Sequence, residues 1–282
     1  MDAILHNWQP LAQTLALFMA VGFFAQLVDG AVGMAYGVIS STVLLAFGVP
    51  PAQASATIHA AECFTTGASA ISHSALKNVD WKLFFRLTPA GIVGGVIGAY
   101  VLTGFDPTLI KAVVIAYLGV LGVYLLIRAL RAPREEPRQL KHVLPLGLVG
   151  GFLDASGGGG WGPVVTSTLL GRGHAPRFVI GSVNTAEFFV TAAISMTFFW
   201  TLLTGRLVLE GGLLFGCAAF GGLVVGGLIA APLAGYVTRI APARVLLGAA
   251  ALLVITLSAW QGSQLWPKLL LHPLLTHLFG AR

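Results

Sequence analysis

Asp29, Glu62, Asp154 and Glu187 are carboxylic acids set inside long apolar stretches of the chain. In a membrane interior an ionised side chain costs about 3 kcal/mol or more, so such groups are functional candidates by default. Their chemistry would be proton exchange, cation binding, or capping of orphan backbone N–H groups. His59 stands three residues before Glu62 in "ATIHAAECF", which puts both on one helical face. The related stretch "GSVNTAEFF" has Asn184 where the first has His59. A histidine and a glutamate at this spacing are two metal ligands with no third in evidence, so neither a metal nor a cofactor is expected. A titratable His in one place and a neutral Asn in the other suits an asymmetric, proton-sensitive site.

The two aspartates each precede a glycine motif. "DGAVGMAYG" begins at Asp29 and "DASGGGGWG" at Asp154, so a shift of 125 residues superposes Gly33 on Gly158, Tyr36 on Trp161 and Gly37 on Gly162. The same register pairs Pro51 with Pro176, Glu62 with Glu187 and Thr66 with Thr191. The chain is therefore an internal duplication. Four consecutive glycines, Gly157, Gly158, Gly159 and Gly160, would destabilise a continuous helix by about 1 kcal/mol each. They read as a turn between two helical arms, followed by Trp161.

The elements that hold these residues follow from composition. Of 282 residues, 56% are hydrophobic and 9% charged, against about 25% charged in ordinary soluble domains. The chain reads as an all-α polytopic membrane protein, with no soluble domain and no cleavable signal peptide. The arms beside the glycines are too short to cross a core of about 30 Å. Each half is therefore expected to hold one Gly-rich broken-helix hairpin and three full spans, the alternative for each glycine segment being a pair of short, tilted spans packed through glycine. The full spans are 51–71, 83–103 and 107–127, then 176–203, 207–236 and 242–260. An odd number of crossings makes the two repeats inverted. Placing the N-terminus outside puts twelve of the sixteen Lys and Arg on the cytoplasmic side, in line with the positive-inside tendency. The expected organisation is an N-terminal repeat (1–130), a cytoplasmic linker (131–142), a C-terminal repeat (143–262) and an interfacial tail (263–282). The net charge of +6 is scattered between spans, which points to the lipid bilayer and away from nucleic acid. Cys63 and Cys217 lack metal-ligand spacing. A homo-oligomer is compatible with this reading.

Inverted repeats with broken helices meeting at mid-depth are a recurring transporter plan. No Lys or Arg lies at mid-depth, so an anion there would rest on helix N-termini and free backbone N–H groups. Gly157–Gly160, Trp161, Gly33, Tyr36, Asn184 and His59 are the expected substrate-binding residues. Glu62, Glu187, Asp29 and Asp154 are the expected coupling or proton-bearing residues, since carboxylates repel an anion unless protonated. The repeated D-x-x-x-G-x-x-x-G pattern, "GGGGWGP" followed by "STLL", and the span opening P-x-x-x-x-G-S-x-N together resemble the TauE/SafE family of sulfite and organosulfonate exporters. The resemblance covers residues 20–260, although "GAVGMAYG" lacks the dense glycine run and has Val38 where the second copy has Pro163. It implies a non-enzymatic bacterial inner-membrane permease for a small anion such as sulfite, sulfoacetate or another organosulfonate, exporting its substrate with proton coupling. The alternatives are a Na⁺ or metal-cation permease using the same acids, and an intramembrane enzyme.

Overall fold

The computed structural model describes residues 2–131, 142–171, 176–210, 212–240 and 242–270. Within them the chain forms α1 (Asp2–Val32), α2 (Tyr36–Ala46), α3 (Pro51–Ala75), α4 (Trp81–Leu102), α5 (Pro107–Leu130), α6 (Val143–Gly157), a wide turn (Gly162–Thr166) leading into α7 (Ser167–Gly171), α8 (Pro176–Leu203), α9 (Gly212–Ile240) and α10 (Ala243–Leu270). No strand is present among the described residues. Six of the helices (α1, α4, α5, α8, α9 and α10) are long and apolar enough to span a membrane. The protein is thus a multi-pass helical membrane protein.

Both expected breaks are present. Phe18 of α1 lies against Phe47, just beyond α2, with ring centroids 6.1 Å apart, so the chain folds back on itself across Gly33–Ala35. In the second half, a Cβ on Gly150 would collide with Val165, which shows the same reversal across Gly158–Gly160. The two hairpins differ in reach, however. The first arm of the first hairpin, α1, is 31 residues long, whereas α6 has 15. The N-terminal extension supplies an apolar run of full membrane length, Leu11–Gly30. Conversely α3, expected as an ordinary span, is 25 residues long and is absent from the six. Gln53, Ser55, His59, Glu62, Thr65 and Thr66 interrupt its apolarity, and all are buried. The last helix continues through Pro267 to Leu270, past the expected end at residue 260. The linker 132–141 and the tail from 271 lie outside the described residues.

The halves exchange partners. α1 packs on α9 and α6 on α4, and glycines make both approaches possible. A Cβ on Gly22 would lie 2.5 Å from the Leu223 carbonyl oxygen, and one on Gly98 would lie 2.5 Å from that of Phe152. Two further pairs join corresponding helices in antiparallel fashion. Along α3 and α8, Cys63 meets Ser195, Ser69 meets Asn184 and Asn78, just beyond α3, meets Arg177. Along α5 and α10, Gly119 faces Ser258 and Gly122 faces Ile255.

Candidate functional site

The two breaks meet tip to tip. A Cβ on Gly37 would sit 2.5 Å from the Gly158 carbonyl oxygen and 2.7 Å from the Gly159 Cα. One on Gly162 would lie 2.7 Å from the Met34 Cα. Only glycine allows such backbone-on-backbone contact, and Gly33 and Gly158 also adopt φ of +72° and +67°, where glycine pays no steric cost. Ala35 stands where the second copy has Gly160, and holds φ at +110°. This is a strained setting for a residue with a side chain.

Each aspartate caps the arm across its break. Asp29 Oδ1 accepts the Tyr36 N–H at 3.2 Å. Asp154 Oδ1 accepts the N–H groups of Gly160 at 2.7 Å and Trp161 at 3.0 Å. The backbone donors expected to cradle an anion at the second tip are therefore largely committed to Asp154. Carbonyls left over at the end of α6 are taken by serines: Ser55 donates to the Ala155 oxygen at 2.6 Å and Ser41 to the Gly158 oxygen at 2.7 Å.

Beyond the caps the two halves differ. His59 is fully buried, and its Nδ1–H donates to the Ser55 carbonyl at 2.7 Å. Nε2 lies 3.2 Å from Asp154 Oδ2. Nδ1 is committed to a carbonyl and Nε2 faces a carboxyl oxygen, so one proton between Nε2 and Asp154 makes this a buried His–Asp hydrogen bond. The matching residue, Asn184, instead donates to Ser69 at 3.2 Å. Asp29 therefore has no cationic partner among the described residues. His59 Nε2, Asp154 and a Glu62 oxygen lie within 4.8 Å of one another, so the fold brings in the third metal-capable side chain that sequence spacing did not reveal. Within this set Asp154 already spends both its oxygens on hydrogen bonds.

A cavity of about 470 Å³ runs from the junction to one end of the bundle. Its deep part is lined by Asp29, Tyr36, Glu62 and Glu187, its middle by Ser69 and Asn184, and its outer part by His73, Asn78 and Arg177. Glu62 is only 4% exposed, yet neither it nor Glu187 makes a hydrogen bond or ion pair through its carboxyl group to a described residue. The deep hydroxyls are already spent as donors: Tyr36 to the Leu223 carbonyl at 3.2 Å, and Thr66 to that of Glu62 at 2.6 Å. The deep end thus presents three carboxyl groups, with the Gln26 amide as a neutral donor beside them. A narrow gap of about 10 Å³ continues between the tips, past Gly159 and Gly160 to Asp154.

Of the expected site residues, Asp29, Glu62, Glu187, Tyr36 and Asn184 converge on this cavity. Trp161 does not line it. Its indole is fully buried, donates to the Val183 carbonyl at 3.2 Å and fills the space that a side chain on Gly91 would need. Gly157 packs against the Tyr117 ring, Gly33 against Ile180, and His59 lies behind the cavity wall. Two features were missed. Arg177, exposed at the mouth, donates to Asn78 and to the Leu76 carbonyl. At the opposite end of α3, buried Gln53 exchanges two hydrogen bonds with the Glu210 backbone, at 3.0 and 2.8 Å, and ties α3 to the loop between α8 and α9.

Membrane-length helices, breaks that meet in the bundle interior and a polar cavity reaching one end define a multi-pass membrane transporter. A family model described as sulfite exporter TauE/SafE matches residues 18–261, and the chain belongs to that family. It is also similar to the probable membrane transporter protein YtnM of Bacillus subtilis (strain 168), at 39% identity over 236 residues, covering 80% of this chain and 75% of that protein. No solved structure matches the chain.

Proposed function

We propose that this transporter moves a small sulfur-containing anion, such as sulfite, sulfoacetate or another organosulfonate, outward across a bacterial inner membrane with proton coupling. The observation that carries this reading is the single cavity in which three unpaired acids, Asp29, Glu62 and Glu187, lie deep to one basic residue, Arg177. Arg177 draws the anion to the mouth. Protonated carboxyl groups then supply the O–H donors that the deep hydroxyls no longer offer, and remove the charge that would repel the ligand. Loss of those protons on the other side expels it. The tip-to-tip breaks are the pivot, and the Gln53–Glu210 contact closes the far end.

Flux of labelled sulfite and sulfonates into proteoliposomes under an imposed pH gradient tests the reading. Uptake into the acidic-lumen or alkaline-lumen vesicle should depend on the sign of the gradient and not on Na⁺. Cation flux that requires Na⁺, with no anion movement, would instead support a cation permease.

The antiparallel pairing of α3 with α8 and of α5 with α10 supports repeats inverted in the membrane. Single cysteines at Gly48 and His174, in a background lacking Cys63 and Cys217, are expected to react with an impermeant thiol reagent from outside and from the cytoplasm, respectively. Labelling of both from one side would remove the inversion.

A further inference from the structure

The side of the α3–α8 pair that faces away from the cavity carries a second concavity, about 960 Å³ in volume and almost wholly apolar. Gly67 and Ala70 of α3 form part of its floor, and aromatic rings form its wall. Those rings are contiguous: Trp81 lies 5.3 Å from Phe84, Phe84 lies 5.6 Å from Phe189, and Phe189 lies 5.2 Å from Phe188. From Trp81 to Pro89 the groove follows α4 for about 12 Å at 1.5 Å per residue. Trp81, half exposed at 51%, opens the helix at the end where membrane helices place their interfacial tryptophans.

The charge at that end is one-sided. Lys82 and Arg86 are exposed, one helical turn apart and next to the Trp81 and Phe85 ridge. Neither is paired with an acid among the described residues. The nearby Asp80 spends its carboxylate on the helix cap, accepting the N–H groups of Lys82 and Leu83 at 2.9 and 3.3 Å. An apolar trough ending at two free bases matches a molecule with a hydrocarbon chain and an anionic head. We propose that the groove holds an acyl chain of an anionic phospholipid, with its phosphate on Lys82 and Arg86.

The probe is phosphatidylglycerol with brominated acyl chains, set against phosphatidylcholine brominated in the same way. The full chain is reconstituted in bilayers and its tryptophan fluorescence followed. A Trp81→Phe variant identifies the Trp81 component among the six tryptophans. At about fivefold per basic residue engaged, Trp81 quenching should saturate at a phosphatidylglycerol fraction about 25-fold below that required for phosphatidylcholine. Lys82→Gln/Arg86→Gln, both on the surface, should bring the two curves together. Equal quenching by both lipids in the unaltered chain overturns the proposal, as does a preference that survives the double substitution. Shielding of Trp81 from both lipids in a chain that migrates as a dimer also overturns it, by assigning the groove to a second copy.

Discussion

Glu62→Gln is expected to preserve anion binding and to abolish its pH dependence. In the unaltered chain an anion in the cavity favours proton uptake by the acids around it, so by linkage protonation tightens anion binding and affinity rises as pH falls. Glutamine has the shape and N–H donors of a protonated glutamate but releases no proton. Flux driven by a pH gradient should then fall by about 5- to 150-fold, the usual range of coupling between linked sites, while anion exchange at equal pH persists. Glu187→Gln should act in the same direction. Both acids line the cavity and the gap between the tips. His59→Asn should not reproduce the effect, since His59 is committed to Asp154. Gradient-driven flux at the wild-type rate in both glutamine variants would remove these acids from coupling.

The second large effect is expected at Gly159. A Cβ there would lie 2.8 Å from the Val38 Cα and closer still to the Val38 nitrogen and the Gly37 carbonyl carbon. All three are backbone atoms, so no side chain can swing aside. Overpacking of this kind costs about 1–3 kcal/mol in ordinary cores, and at a junction of two backbones the upper end applies. Gly159→Ala should therefore lower the melting temperature in detergent and eliminate transport. Gly216→Ala, where a Cβ meets nothing within 4 Å, should leave both unchanged. A Gly159→Ala chain as stable and active as the parent would show that the tips separate in the working protein. Sequence alone could not show that the other hairpin fills the space beside the glycines.

Duplication explains what was legible. An acid, a break and a second acid recurring at one spacing identified Asp29, Asp154, Glu62 and Glu187, and three of the four do line the cavity. The partner of each was not legible. His59 meets Asp154 across 95 residues, and neither local spacing nor the repeat register relates them. Arg177 belonged to no motif, and its place at the mouth depends on α8 starting beside the end of α3. Hydropathy alone leaves α3 out of the membrane-length helices for a physical reason: a helix that walls a polar cavity and supports a neighbouring break must carry polar residues through mid-depth. Trp161 was ambiguous until its indole was seen against Gly91, because an aromatic beside a glycine run serves packing and ligand stacking alike.

The His59–Asp154 contact has no counterpart in the first half, since Asn184 turns to Ser69 and leaves Asp29 without a cation among the described residues. One hairpin is thus fastened to α3 through Asp154 and the Ala155 carbonyl, and the other rests on its own cap. Breaking a buried polar pair is costly, so α3 and α6 are expected to move together. A carrier whose halves swap roles would spend equal time facing each way if its clamps were equal. Here they are not, so the empty carrier is expected to rest in a preferred orientation, set by a single histidine-for-asparagine difference.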